Sequence, residues 1–142
     1  MEKFRIAVRK FSPFESTLQK LWDAFCLKNN IQIEVEMVPL ELHDLYEETI
    51  TNKGLKTGKW DIAHLNTDWI FDAANEKAVL DLTSFINQNP PQDYPEGWHQ
   101  SLLKLQQVNG SIYGLPFHDG PECMIYRKDL FEDLTEKENF KK

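Results

Sequence analysis

Apolar residues along the first seventy positions change period repeatedly, from every second residue to every third or fourth and back. Phe4-Arg5-Ile6-Ala7-Val8-Arg9 alternates about an apolar centre, which predicts a strand. Ser12-Pro13-Phe14-Glu15 carries helix-start signals: a serine to cap, proline at the first helical position and glutamate three after the cap. Phe14, Leu18, Leu21, Trp22, Phe25 and Cys26 then recur at helical spacing, which predicts one buried face, and Asn29-Asn30 ends the helix. Ile31 to Val38 alternates strictly, as in a strand with one wet face or at a sheet edge. Leu42, Leu45, Tyr46, Thr49 and Ile50 mark a second helix that stops near Gly54.

Trp60 to Leu65 reads as a third short strand. Asn66-Thr67-Asp68 supplies capping side chains for a helix burying Ile70, Ala73 and Ala74. Strand-helix-strand-helix-strand-helix is the succession of a parallel α/β sheet, the fold class expected here. Beyond Leu80-Asp81-Leu82 a short helix is expected over Thr83–Gln88. Pro90 to Pro95 is linker-like. A helix over Glu96–Gln107 would turn Trp98, Leu102 and Leu105 inward. Asn109-Gly110 is a strong hairpin signal, leading into Ile112-Tyr113-Gly114-Leu115-Pro116 and a later strand, Cys123 to Tyr126.

Composition narrows the function. Of 142 residues, 23 are acidic and 16 basic, a net charge of −7, and the basic residues are scattered. Such a chain has no electrostatic footprint for nucleic acid or an anionic membrane. No stretch approaches the roughly 18–20 apolar residues of a membrane span, and the Met1-Glu2-Lys3-Phe4 start carries no apolar signal region. Cys26 and Cys123 lack metal-ligand spacing, and Cys26, on an apolar helix face, is expected buried, so a disulfide between them is disfavoured. His43, His64 and His99 show no metal spacing and read as structural or surface residues; Trp22, Trp60 and Trp98 read as core or interface.

Two segments, taken together, resemble family 1 bacterial extracellular solute-binding proteins, whose best-known relatives bind maltose and other sugars. One is Trp60-Asp61-Ile62-Ala63-His64-Leu65-Asn66-Thr67-Asp68-Trp69-Ile70 with its alanine-bearing helix and Leu80-Asp81-Leu82. The other is Asn109-Gly110-Ser111-Ile112-Tyr113-Gly114-Leu115-Pro116 followed by Tyr126-Arg127-Lys128-Asp129-Leu130-Phe131. The resemblance runs from Phe4 to Phe131 and covers the first third of such a protein. It implies a periplasmic binding protein-like type II fold, here a truncated first lobe. Residues 1–117 would form the incomplete N-terminal lobe, and 118–142 the crossover hinge and start of a second lobe.

The implied function is reversible capture of a small solute, a carbohydrate above all, for delivery to the membrane subunits of an ABC importer. The parent protein would be periplasmic or extracellular and membrane-attached. No catalysis, cofactor or metal is implied.

In open parallel sheets ligands lie beyond the strand carboxyl ends. The loops expected there are Lys10-Phe11-Ser12, Pro39-Leu40-Glu41, Asn66-Thr67-Asp68-Trp69 and the crossover His118-Asp119-Gly120-Pro121-Glu122. Sugars need paired donors and acceptors beside a flat apolar surface. Phe11, Ser12, Asn66, Thr67, Asp68, Trp69, His118, Asp119 and Gly120 are therefore the candidate ligand-binding residues. Each has a plainer reading: Ser12, Asn66, Thr67 and Asp68 as helix caps, Trp69 as core, His118-Asp119-Gly120 as a simple turn.

Two rival classes share the strand-helix alternation. A signalling receiver needs clustered acids after the first strand, where this chain has Arg9-Lys10. An enzyme on the binding-protein fold would use Cys123 as nucleophile, with His118 nearby in sequence as its base. A last expectation concerns assembly: with the return segments of the family absent, the apolar stretch from Ile112 to Phe131 would pair two copies as a homodimer.

Overall fold

The computed structural model describes residues 3–118, 120, 125, 127–131 and 134–139. Its centre is a three-stranded parallel sheet in the order β2-β1-β3. Strand β1 (Phe4–Arg9) lies between β2 (Val35–Leu40) and β3 (Ile62–Ala63). Ile6, Ala7 and Val8 are buried because both edges and both faces of β1 are covered. Phe4 pairs with Val35 and Arg9 with Leu40; Ile6 pairs with Ile62 and Ala7 with Ala63.

The strand expected over 31–38 is displaced to Val35–Leu40. The cause is the partner: pairing can begin only where β1 begins, and the first ladder bond runs from Phe4 N–H to the Glu34 carbonyl at 2.8 Å. Ile31 to Glu34 precede that point. Pro39 is tolerated because β2 is an edge strand, where a missing donor costs little. The expected loop Pro39-Leu40-Glu41 is thus mostly strand.

Helix α1 (Ser12–Asn29) connects β1 to β2. Pro13 sits in its first turn, as expected. Ser12, however, is not its cap: Phe11 occupies that position in extended conformation, with no side-chain cap bond. Asn30 ends the helix in the left-handed region (φ 53°), and Ile31 N–H reaches back to the Cys26 carbonyl at 3.0 Å.

The apolar face of α1 is only half buried. Phe14, Leu18, Trp22 and Cys26 are intermediate, Leu21 is 55% exposed and Phe25 49%, so the expectation of a buried Cys26 fails. An 18-residue helix spans about 27 Å, whereas a six-residue strand spans about 20 Å. The narrow sheet cannot cover the whole stripe.

Helix α2 (Leu42–Tyr46) runs into a wider π turn over Glu47–Thr51. Of the predicted face, Leu45, Thr49 and Ile50 are buried, Tyr46 is half-buried and Leu42, in the first turn, is exposed; the buried Thr49 hydroxyl donates to the Leu45 carbonyl at 2.6 Å. Ala7, Leu45 and Trp60 form the core, with Val38, Leu40, Leu55, Ala63 and Trp69 packed around them.

A 3-10 turn (Thr67–Trp69) leads into α3 (Ile70–Asn75), which buries Ile70 and Ala73, and α4 (Thr83–Gln88) follows. The helix expected over 96–107 is shorter: α5 spans Gln100–Leu105, with His99 as N-cap accepting from Ser101 N–H at 3.3 Å. Of the inward set predicted, Trp98 and Leu102 are half-buried but Leu105 is 51% exposed, and Leu103 is buried instead. The Asn109-Gly110 turn accounts for the shortening at the carboxyl end. It draws Gln107–Val108 into β4, paired antiparallel with β5 (Ser111–Ile112), and both turn residues have positive φ, 52° and 86°. Asp81 accepts from the Thr83 N–H and hydroxyl, and Ile112 N–H donates to Thr83 Oγ1 at 2.9 Å, fixing the hairpin to α4. Helices α6 (Lys128–Phe131) and α7 (Leu134–Asn139) follow. The strand expected over 123–126 lies mostly outside the described residues.

Candidate functional site

The carboxyl ends of β1 and β3 meet around one phenylalanine. Phe14, in the first turns of α1, makes edge contacts with four rings: Phe11 at 4.9 Å, His64 at 5.5 Å, Phe117 at 5.5 Å and His118 at 5.0 Å between centroids. His64 and Phe117 also contact each other directly, at 4.7 Å with planes 34° apart. Phe11 is 50% exposed and Phe117 46%, so the cluster presents wet aromatic surface.

His64 fixes this arrangement to the sheet. Strand β3 is only two residues long, and the residues flanking it complete the pairing with β1 through their side chains. Asp61 accepts the Arg5 N–H at 2.8 Å before the strand. His64 Nδ1 accepts the Arg9 N–H at 3.3 Å after it. Burial among the rings pushes the His64 imidazole below its ordinary value of 6.5, so neutral histidine is favoured. Beside it, Glu41 takes ion pairs from Lys10 (2.9 Å) and Arg9 (3.2 Å), which hold its carboxyl below the usual carboxylate value.

The structure divides the candidate residues. Phe11 and His118 join through Phe14, and a side chain on Gly120 would come within 3.4 Å of His118 Nε2. Ser12 is exposed at the start of α1. Asn66 holds the N-cap position of the 3-10 turn, yet no side chain there makes a cap bond, contrary to the capping reading; Thr67 and Asp68 are exposed. Trp69 packs edge-on to Tyr46 at 5.1 Å and against the core, the structural role weighed for it. None of the ring contacts of the Phe14 cluster includes Trp69. Asp119 and Cys123 lie outside the described residues.

Sequence spacing does not single out His64, Phe14 and Phe117, which the structure brings together with Phe11 and His118. By spacing alone Phe14 reads as core face of the helix, Phe117 as part of the apolar stretch after the hairpin, and His64 as a structural or surface residue. The available signal was position: His64 immediately follows β3, where a ligand-facing side chain is expected.

A parallel sheet flanked by helices, with half-wet aromatic and polar groups gathered at its carboxyl end, fits a solute-binding lobe. The sequence profile of the bacterial extracellular solute-binding proteins matches residues 11–142. The chain belongs to that family. A search among curated proteins finds no match. Members bind small solutes outside the cytoplasm for ABC importers and are binding proteins rather than enzymes. Among the described residues no helix is long and apolar enough to cross a membrane, and no group of acidic, His and Cys side chains is placed to hold a metal ion.

Proposed function

We propose that this chain binds a sugar or oligosaccharide at the carboxyl end of its sheet, for delivery to the membrane subunits of an ABC importer. The observation that carries the reading is the aromatic cluster in which the exposed Phe11 and Phe117 flank the half-buried Phe14, since ring faces suit the C–H surface of a pyranose. Asn66, Thr67 and Asp68, without cap bonds, offer acceptors and donors two to four residues along the chain from His64. Ser12, His118, Asp119 and Gly120 would complete the rim, with Trp69 supporting it from the core. Residues 1–117 act as the first lobe and 118–142 as the hinge and start of a second. The parent protein is attached to the outer face of a membrane, and two copies of this chain associate through Ile112 to Phe131.

A single lobe offers one side of a binding cleft. Half of a micromolar binding energy of about −8 kcal/mol corresponds to roughly millimolar affinity. Chemical-shift titration of the isotope-labelled chain with glucose, maltose and maltotriose tests this, with leucine and glutamate as controls. Saturable millimolar shifts at Phe11, Phe14 and Phe117 with sugars alone are expected. A response to the amino acids and none to sugars would overturn the proposal.

A further inference from the structure

We propose that His64 is a ligand-contacting residue, its Nε2–H donating a hydrogen bond to a hydroxyl or ring oxygen of a solute held against Phe14 and Phe117. The inference rests on the sugar-binding reading and adds to it a residue and an atom.

Three observations converge. Nδ1 is engaged as an acceptor from the Arg9 backbone N–H at 3.3 Å, so in the neutral ring the proton sits on Nε2. The two nitrogens of an imidazole diverge, so Nε2 points away from β1. Phe14 meets the ring at 88° and Phe117 at 34°, two contacts of different geometry that hold its orientation. No buried side-chain nitrogen or oxygen among the described residues lacks a hydrogen bond. Nε2 has no protein partner there, so solvent reaches it. The group is an oriented donor beside an aromatic cluster, without a protein partner and within reach of solvent. Completing the β1–β3 pairing needs only an acceptor at the Nδ1 position, and asparagine would supply one. The second nitrogen, which pairing does not use, is available to a solute.

The charged groups around it agree with a neutral solute. Arg9 and Lys10 are both paired to Glu41, so neither cation is unpartnered at the site. His118 and His64 both contact the Phe14 ring.

The test separates the two ring nitrogens. A long-range proton–nitrogen spectrum of the 142-residue chain near neutral pH should show the Nε2–H tautomer of His64; the Nδ1–H tautomer would overturn the assignment. Titration with maltose should move the Nε2 resonance together with the amides of Phe14 and Phe117. His64→Asn keeps an acceptor near Nδ1 and loses the distal donor, so it should weaken maltose binding about tenfold, the loss of roughly one hydrogen bond. His64→Gln, which carries a donor near Nε2, should restore part of it. Maltose shifts at Phe117 with a still Nε2, or equal affinity in His64→Asn, would refute the role of His64 and leave the sugar reading standing. Absence of any sugar response in the wild type would refute the sugar reading itself, and this role with it. The Nε2 measurement is made on the wild type and does not depend on a variant folding.

Discussion

The two ends of the sheet are built from similar residue types and put them to different use. At the amino end, Trp60 is 4% exposed, with Arg5 and Lys59 over its ring at 5.2 and 5.5 Å. Its indole N–H faces Glu48 at 3.4 Å, Glu48 pairs with Lys59, and Arg5 pairs with Glu36 at 3.2 Å. Each charged or polar group there is matched. At the carboxyl end the rings are half wet, the 3-10 turn makes no side-chain cap bond, and one imidazole nitrogen is open. Matched groups hold a fold together, while groups left unmatched at an exposed surface are free to meet something else. On the sugar-binding reading proposed above, mutation should separate stability from recognition in this chain.

The largest test of that separation is Trp60→Ala. Emptying a core site of this size should cost about 3–5 kcal/mol, read as a lowered urea midpoint. Gly54→Ala comes next. A methyl there would stand 2.5 Å from both the Glu48 carbonyl oxygen and Trp60 Cδ1, contacts that force the clamp apart. A loss of about 1–3 kcal/mol is expected, as for other overpacked sites. Neither variant, under conditions where it remains folded, should change the sugar response at Phe117. A loss of binding matching the loss of stability would show that the two ends act as one unit.

Phe117→Ala probes the other end. The ring is 46% exposed, so unfolding stability should change by less than about 1 kcal/mol. Sugar affinity should fall roughly two- to twelvefold, from an aromatic contact of about 0.5–1.5 kcal/mol. The smallest effect concerns acid. His64 is held neutral when folded and protonates freely when unfolded, so its contribution to stability is complete above pH 6.5 and declines as pH falls below that value. Glu41, Glu48 and Asp81 have carboxyls held below ordinary values of 4.5, 4.5 and 3.8, and their contributions disappear only in more acid solution. Thermal midpoints between about pH 7.5 and 5.5 should fall slightly in the wild type and less in His64→Asn. Equal slopes would mean that burial does not hold His64 neutral.

Local signals were legible in the sequence wherever a single segment determines its own conformation. The Asn109-Gly110 turn, the Thr83–Gln88 helix, the Asn30 terminus and the inward set Leu45, Thr49 and Ile50 all follow from local period or backbone chemistry. Features set by a partner were not. The start of β2 depends on where β1 starts, the end of α5 on the hairpin, and the wetness of α1 on the width of the sheet beneath it. The site shares this limit. Phe11 and His118 could be picked by their positions, but the residue joining them, Phe14, looks in sequence like any other apolar position of an amphipathic helix.

The position of β1 has a consequence for how the chain assembles. It is the first described strand in sequence and the middle one in space, and the contacts that close its second edge join residues more than fifty positions apart, as Arg5 to Asp61 and Arg9 to His64. During synthesis β1 therefore emerges long before its second neighbour exists. Loop-closure entropy must be met before such distant pairing gives any return, which slows folding of sheets of this kind. Through that interval Ile6, Ala7 and Val8, the most deeply buried stretch of the finished sheet, have one flank open to water and to other chains. The strand made earliest is among the last to be sealed.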